Sequence, residues 1–428
     1  MVTQTDTIRK PTERKSVTGY TCAVEFSEPA MAWRVTSLLL NIAHALDHLM
    51  LLVFATAVAT IAREFGVGRW EDLMPYTTGA FVMFGIGSLP SGRLGDLWGR
   101  RAMMLVFFFG IGGSAMLIAL TQNVWQLALA LGLMGGFASI YHPVGIPMLL
   151  RHAAKPGITI GINGMAGNLG IAAAAISTGF FIQYADWRTA FVMPGLLSIA
   201  CGLLFMKFAP VEGGAPAKRT VKQIELPPGT RNRVFLVMTM LAITGSILFN
   251  FTTNGNGELL KARLPILVEQ PALLGMLLAV VYTLSSLSQL AVGRMLDRFP
   301  IRNVMLGIIA FQGPMFLLAA YSRGWMLFAA MILFMVLVFG AIPFTDAIIA
   351  RYVDDSIRSR VSGMRLAVSF GVSSMAVWAL GPTVKAAGFG FALLVLGVVA
   401  ICSLLITWQL PDESTIRKAT AAHAGQTA

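Results

Sequence analysis

The chain is poor in charge. Lys and Arg contribute 32 of its 428 residues and Asp and Glu 20, so charged residues make up 12%, where an average soluble domain carries about 25%. A soluble fold of this length needs a polar shell, and too little polar sequence exists here to build one. Apolar residues reach 56% before the 43 glycines are counted, which excludes disorder, because disordered chains are poor in apolar residues. Lipid must be the solvent for most of the chain.

Other absences narrow the reading further. The three cysteines, Cys22, Cys201 and Cys402, are odd in number and widely spaced, which suits neither a disulfide framework nor a zinc site; they read as small apolar fillers. The net charge of +12 lacks the basic patch interleaved with stacking aromatics that nucleic acid requires, so no nucleic-acid partner is expected. No G-x-x-x-x-G-K-[ST] loop occurs, which argues against direct drive by ATP. No nucleophile, base and orienter grouping and no sizeable extramembrane domain are evident, so neither an enzyme nor a cofactor is expected. Residues 1–32 are polar and lack the apolar core of a cleavable signal peptide, so the first apolar run, from about Val35, is expected to remain in the mature protein.

What is present is a series of apolar runs. A helix crossing the ~30 Å hydrocarbon layer needs about 20 such residues. Runs at 35–61, 74–91, 102–120, 124–150, 159–182, 187–208, 234–252, 272–292, 303–321, 325–349, 361–383 and 389–409 meet this, giving twelve predicted transmembrane helices in an all-α integral membrane protein. With both termini on the cytoplasmic side, the cytoplasmic segments hold 25 of the 32 Lys and Arg and the external loops hold 7. The excess of basic residues inside supports that orientation. The expected organisation is a tail at 1–32, a six-helix half at 33–208, a linker at 209–233, a second half at 234–410 and a tail at 411–428. Pro210, Gly213, Gly214, Pro216, Pro227 and Pro228 mark the linker, and its Lys218, Arg219, Lys222, Arg231 and Arg233 suit an anionic membrane face.

The halves repeat. Gly92 and Asp96 align with Gly293 and Asp297 at an offset of 201, Pro143 and Arg151 with Pro343 and Arg351 at 200, and Gly164-Met165 with Gly363-Met364 at 199. Six crossings return the chain to the same side, so the halves are related by an axis along the membrane normal with a cavity between them, an architecture that suits alternating access.

Gly92-Arg93-Leu94-Gly95-Asp96-Leu97-Trp98-Gly99-Arg100-Arg101, with its degenerate copy from Gly293, resembles the signature loop of the major facilitator superfamily, and Asp186-Trp187-Arg188 resembles that superfamily's habitual opening of the sixth helix. The resemblance covers about residues 33–410 and implies the major-facilitator fold of two pseudo-symmetric six-helix halves. It also implies a gating loop at Gly92, Asp96, Gly99, Arg100, Arg101, Gly293 and Asp297. In that role Gly92 lets a helix approach the other half, Asp96 latches the halves through Arg360 or Arg365, and Arg100 and Arg101 meet acids or lipid phosphates.

Ionisable residues at membrane depth are costly and are functional candidates by default. His44, Asp47 and His48 share one face of the first helix, an imidazole–carboxylate grouping suited to binding protons at physiological pH. His142 in the fourth helix and Asp346 in the tenth complete the candidates for proton coupling or substrate. Asn41, Tyr141, Asn163, Asn168, Asn250, Tyr282, Ser285, Gln289, Ser369, Ser373 and Trp378 are polar or aromatic on apolar helices and are expected to line the cavity. His44 to His48, Tyr141-His142-Pro143 and the Gly-rich run Asn163 to Gly170 are similar to the fosmidomycin-resistance-like exporters. In that branch the acid stands where His48 stands here, and an acid is common where Val144 stands. Typical drug–proton antiporters carry an arginine inside the fourth helix and a Gly-Pro element in the fifth, and this sequence has neither. The expected activity is proton-coupled secondary transport of a small organic solute, export favoured over uptake, by a monomer in the bacterial inner membrane. A second reading keeps the fold and gives His44, Asp47 and His48 a divalent metal such as iron, zinc or manganese. A third makes the chain an uptake symporter of a small organic acid or other metabolite.

Overall fold

A computed structural model describes residues 28–151, 153, 156–210, 228–352 and 355–412. The tails, most of the linker with its Gly213, Gly214, Pro216, Lys218, Arg219, Lys222 and Pro227, and Cys22 lie outside the described residues, as do the side chains of Arg351 and Arg360.

The first half runs α1 (Glu28–Glu64), α2 (Trp70–Leu73), α3 (Thr78–Trp98), α4 (Arg100–Ala119), α5 (Val124–Ala138), α6 (Ile146–Arg151), α7 (Pro156–Tyr184) and α8 (Trp187–Phe208). The second runs α9 (Pro228–Arg263), α10 (Pro271–Arg298), α11 (Ile301–Tyr321), α12 (Gly324–Gly340), α13 (Pro343–Tyr352) and α14 (Asp355–Trp408). Among the described residues ten helical stretches are long and apolar enough to cross a membrane. The last, Met364–Trp408, has 45 residues, about 67 Å of helix at 1.5 Å per residue and twice the hydrocarbon thickness. It is broken at Gly388, whose φ of 77° and ψ of 170° leave the helix. Dividing that stretch and adding α3, which is 21 residues long, recovers the twelve crossings of the expected fold.

Three expected boundaries move. Runs 124–150 and 325–349 are each interrupted, at a π-helical turn Tyr141–Gly145 and before Pro343 respectively. A proline lacks the N–H that the ladder needs and crowds the preceding carbonyl, and Pro143 and Pro343 stand 200 residues apart, so both halves break at the same place. The run ending at 252 underestimates α9, which continues through Asn254, Asn256 and Glu258 to Arg263. These polar residues lower the hydropathy, yet each is buried.

Every crossing alternates between a tail end, where α1 begins and α3 ends, and a far end, where α1 finishes at Glu64. At the far end the halves meet closely. A Cβ on Gly179 of α7 would lie 2.3 Å from the Pro271 carbonyl oxygen of α10, and one on Gly381 would lie 2.2 Å from that of Glu71. Asp72 and Lys385 pair at 2.5 Å, and Trp70 stacks on Phe389 at 6.0 Å between centroids. One apolar core runs across both halves there, from Phe54 and Phe107 to Phe316 and Phe334. A separate core built on Val234, Val304, Phe344 and Ile348 fills the tail end of the second half alone. At that end α7 exposes Ile158, Ile160 and Ile162 and α10 exposes Met295 and Phe299. Among the described residues these close approaches of the two halves lie at the far end.

Candidate functional site

Four ionisable side chains converge at mid-height in the first half. His44 and Asp47 are buried, at 5% and 0% exposure, and His48 of the same helix is half-buried. The π-turn brings in His142: its wider ring, imposed by Pro143, rotates the following side chains relative to a regular helix. Tyr141 stacks on His44 at 4.7 Å and 20°, and the His142 ring meets His44 edge-on at 5.0 Å. The His142 Nε2 lies 3.6 Å from Asp47 Oδ2, an ionic separation too long for a hydrogen bond.

One proton position follows from geometry. His44 Nδ1 lies 2.8 Å from the Asn163 carbonyl oxygen, which can only accept, so Nδ1 carries a hydrogen. The neutral ring then presents a lone pair on Nε2, and His48 Nε2 stands 3.2 Å from it. Asn163 fixes this corner. Its Nδ2 donates to Tyr141 Oη at 2.7 Å and to Asn41 Oδ1 at 3.0 Å. Asn41, Ser37, Leu149, Ala153, Thr159 and Ile162 line a cavity of about 200 Å³. They come from the tail-end portions of α1, α6 and α7 and, for Ala153, from the segment between α6 and α7.

The cluster is polar and incompletely satisfied. Both Asp47 oxygens and His142 Nε2 are buried without a hydrogen-bond partner. Burying a carboxylate costs several kcal/mol unless a cation or a proton accompanies it, so Asp47 requires an occupant.

The other expected residues divide. Asn250 donates to Ser373 Oγ at 2.7 Å and Tyr282 to the Thr253 carbonyl at 3.2 Å, all buried in the second half. Asn168 is buried, Ser285 bonds back to Val281, Ser369 receives Ser373, and Gln289 keeps a buried, unpartnered Nε2. Asp346 does not join the histidines: it is exposed and pairs with Arg365 at 2.9 Å. Trp378, 55% exposed, shares an outer stripe with Met375 and Pro382, turned away from Ser373 by the helical pitch.

The signature loop also departs from expectation. Gly92 faces Pro143 of its own half, where a Cβ would sit at 3.4 Å. Asp96 is exposed, and Arg365 is engaged with Asp346 instead. Arg101 caps a helix: its Nε and Nη2 donate to the Ala209 and Met206 carbonyls at 2.8 and 2.6 Å, supplying the donors a helix C-terminus lacks. Gly99 holds φ at +89° between α3 and α4, a conformation suited to glycine. Arg100 is partly buried, Gly293 has open space beside it, and Asp297 is exposed.

Sequence reading missed the far-end polar network. Trp187 Nε1 and Arg188 Nη1 both donate to Glu64 at 2.5 Å, and Arg188 also caps the Ala119 and Thr121 carbonyls. Asp186 accepts from Thr189 N at 2.7 Å as the N-cap of α8, which holds its carboxyl below the usual range. The Asp186-Trp187-Arg188 pattern is thus a cap, an anchor and a clamp. Glu258, buried, pairs with Lys261 one turn on.

A two-half helical bundle with ionisable side chains held in its interior is the scaffold of a secondary carrier. The profile of the Major Facilitator Superfamily matches residues 40–270, over half of the chain, and the protein belongs to that superfamily; it is a transporter and not an enzyme. A probable hexose phosphate transport protein of Chlamydia pneumoniae is 27% identical over 155 residues, 36% of this chain and 34% of that protein. The tetracenomycin C resistance and export protein of Streptomyces glaucescens is 29% identical over 164 residues, 37% of this chain and 30% of that protein. The chain thus spans about a third of the length of the curated relatives it matches. The crystal structure of a bacterial homologue of the human lysosomal transporter Spinster, inward-facing and occupied, superposes with a TM-score of 0.74 at 14% identity, over 92% of this chain and 99% of that one.

Proposed function

We propose that the protein moves a small organic solute across the bacterial inner membrane by alternating access, coupled to protons and more often outward than inward. The carrying observation is Asp47: fully buried, without a hydrogen-bond partner, and 3.6 Å from an imidazole. A carboxylate so placed must exchange its occupant whenever the site changes sides, and a proton is the smallest occupant it can take. His44, His48 and His142 share that proton binding, and Asn41, held by Asn163, lines the tail-end cavity. Asn250 and Ser373 offer polar atoms from the second half, and Arg365, released from Asp346, offers a charge to an anionic solute.

Supporting the orientation, 25 of the 32 basic residues fall on the tail-end side, which makes that side cytoplasmic. Asp96 then has its latching role in the state in which the tail end closes. The halves are taken as 33–208 and 234–410, joined by the linker 209–233 and working as a monomer. Export draws support from the name of the Streptomyces relative. The alternative is an uptake symporter of a small organic acid or other metabolite, in keeping with Arg365; the Chlamydia relative is named for transport of hexose phosphate.

The test is transport by purified protein in sealed vesicles with an imposed pH gradient, after a thermal-shift screen of metabolites and antibiotics has selected the solute, since a ligand of the native state raises the unfolding temperature. Asp47→Asn is expected to abolish gradient-driven movement, at least 100-fold, while solute exchange without a gradient persists. Full gradient-driven transport by this variant overturns the coupling role.

A further inference from the structure

The three imidazoles exceed what a single proton relay needs, and their arrangement carries a second chemistry. One ring nitrogen from each of His44, His48 and His142 lies within 4.8 Å of the other two. The His44 and His48 Nε2 atoms are 3.2 Å apart, close to the roughly 3.3 Å separating neighbouring ligands of a tetrahedral ion at zinc–nitrogen distances near 2.05 Å. The Asp47 carboxylate, with both oxygens unpartnered, stands 3.6 Å from His142 Nε2.

We infer that this cluster is a binding site for a divalent transition-metal ion of the zinc type, held by His44, His48 and His142, with the Asp47 carboxylate beside His142 offsetting its charge. Three further observations favour it. His44 donates its Nδ1 hydrogen to the Asn163 carbonyl, the outer-shell bond that fixes the tautomer of metal-ligating histidines and aims Nε2 at the ion. The faces of the His44 ring are covered, one by Tyr141 at 4.7 Å and the other by Gly167, where a Cβ would lie 2.6–2.8 Å from three ring atoms at once. Only the in-plane lone pair remains open. Soft and hard alternatives fit less well: no thiolate is present to select copper(I), and a set dominated by imidazole disfavours magnesium or calcium, which take oxygen ligands.

The ion would be held within one half and covered by the other. Phe370 of α14 packs on Phe84 at 4.4 Å and on His142 at 5.9 Å between centroids, so the cover over His142 shifts when the halves separate. The site is shared with the proposed proton coupling, yet metal binding rests on ligand geometry and can be read without solute or gradient.

The test titrates Co2+ into the full-length protein in detergent. One equivalent is expected to give the intense visible absorption of tetrahedral cobalt, and one equivalent of Zn2+ to abolish it. His48→Asn and His142→Asn should each weaken Co2+ affinity at least 10-fold while leaving the metal-free unfolding temperature within the range of the parent. Should either variant fail to fold, diethylpyrocarbonate labelling of the parent gives the same reading: Zn2+ should slow modification of His44, His48 and His142. A folded parent with no tetrahedral band, a band that survives both substitutions, or labelling unaffected by Zn2+ overturns the inference. Loss of the metal site with gradient-driven transport intact leaves the coupling role standing. A cobalt band in a transporter indifferent to pH gradients removes the coupling role alone.

Discussion

The two halves share a frame and differ in what they enclose. Arg101 caps the carbonyls of Met206 and Ala209, and its counterpart 201 residues on, Arg302, donates to the Trp408 carbonyl. The carbonyls of Ala119 and Thr121 are capped by Arg188, and those of Ala320 and Ser322, again 201 residues on, by Arg263. The clamp has changed hands: in the first half Arg188 reaches across from α8 and is held by Glu64, whereas Arg263 occupies the equivalent end of α9 and reaches the carbonyls itself. At offsets of 199 and 200, Ile243, Ser246, Ile247 and Ile342 stand where the first half has His44, Asp47, His48 and His142. Helix termini have the same unsatisfied carbonyls wherever they occur, so caps recur. A buried charge is costly twice over, so the ionisable site was kept in one half only.

The largest break in this comparison is expected at two equivalent glycines. A Cβ on Gly170 would sit 2.1 Å from the Ala45 carbonyl oxygen, and one on Gly371, 201 residues on, would meet nothing within 4 Å. Gly170→Ala should destabilise the protein by about 3 kcal/mol through overpacking, read as a large fall in unfolding temperature. Gly371→Ala should cost nothing. Equal effects would mean that the halves pack alike.

Gly170 also marks how far the sequence was legible. Twelve crossings, the internal repeat and the convergence of His44, Asp47 and His48 follow from hydropathy and helical spacing, which are local. The recruitment of His142 depended on a π-turn, and the carbonyl partner of His44 on α7 lying against α1; neither leaves a periodic trace. The pairing of Asp346 with Arg365 was not legible because depth along a helix does not say which side chain stands opposite. Glu258 was overlooked because its polar neighbours ended the apolar run at 252, eleven residues before the helix ends at Arg263.

The two clamps offer the next contrast. Arg263→Gln removes a charge-assisted donor from two carbonyls and should cost about 2 kcal/mol, whereas Glu64→Gln keeps an amide oxygen to accept from Trp187, removes only the charge facing Arg188, and should cost under about 1 kcal/mol. Chemical unfolding of both variants measures the difference, and a reversed order would refute the account of the exchanged clamp.

A last contrast, distinguished by its pH dependence, lies at the start of the last helix in each half. The first half uses the Asp186 cap; the second passes through Gly388 in a conformation that glycine alone adopts readily. Gly388→Ala should cost about 2 kcal/mol and Asp186→Ala about 1 kcal/mol. Only the cap is sensitive to acid. Because the folded carboxyl titrates below its ordinary value of about 3.9, its contribution is complete above that value and disappears as pH falls through the lower, folded value. Unfolding temperatures of parent and Asp186→Ala should therefore converge as pH falls through that lower, folded value, while the Gly388→Ala deficit persists.

Helix α7 rests on two bearings. Near its start the Asn163 carbonyl and the bare backbone of Gly167 seat it on His44, and near its end Gly179 seats it on α10. The Gly179 seat lies 16 residues from Asn163, an arm of about 24 Å. A tilt of only 2–3° about that pivot displaces the Asn163 carbonyl by about 1 Å, enough to lengthen its bond to His44 beyond hydrogen-bonding range. A rocking movement too small to register as a change of fold is thereby converted into the gain or loss of one hydrogen bond, and with it the preference of His44 for one tautomer. The rod is the gear train, and its teeth are two glycines.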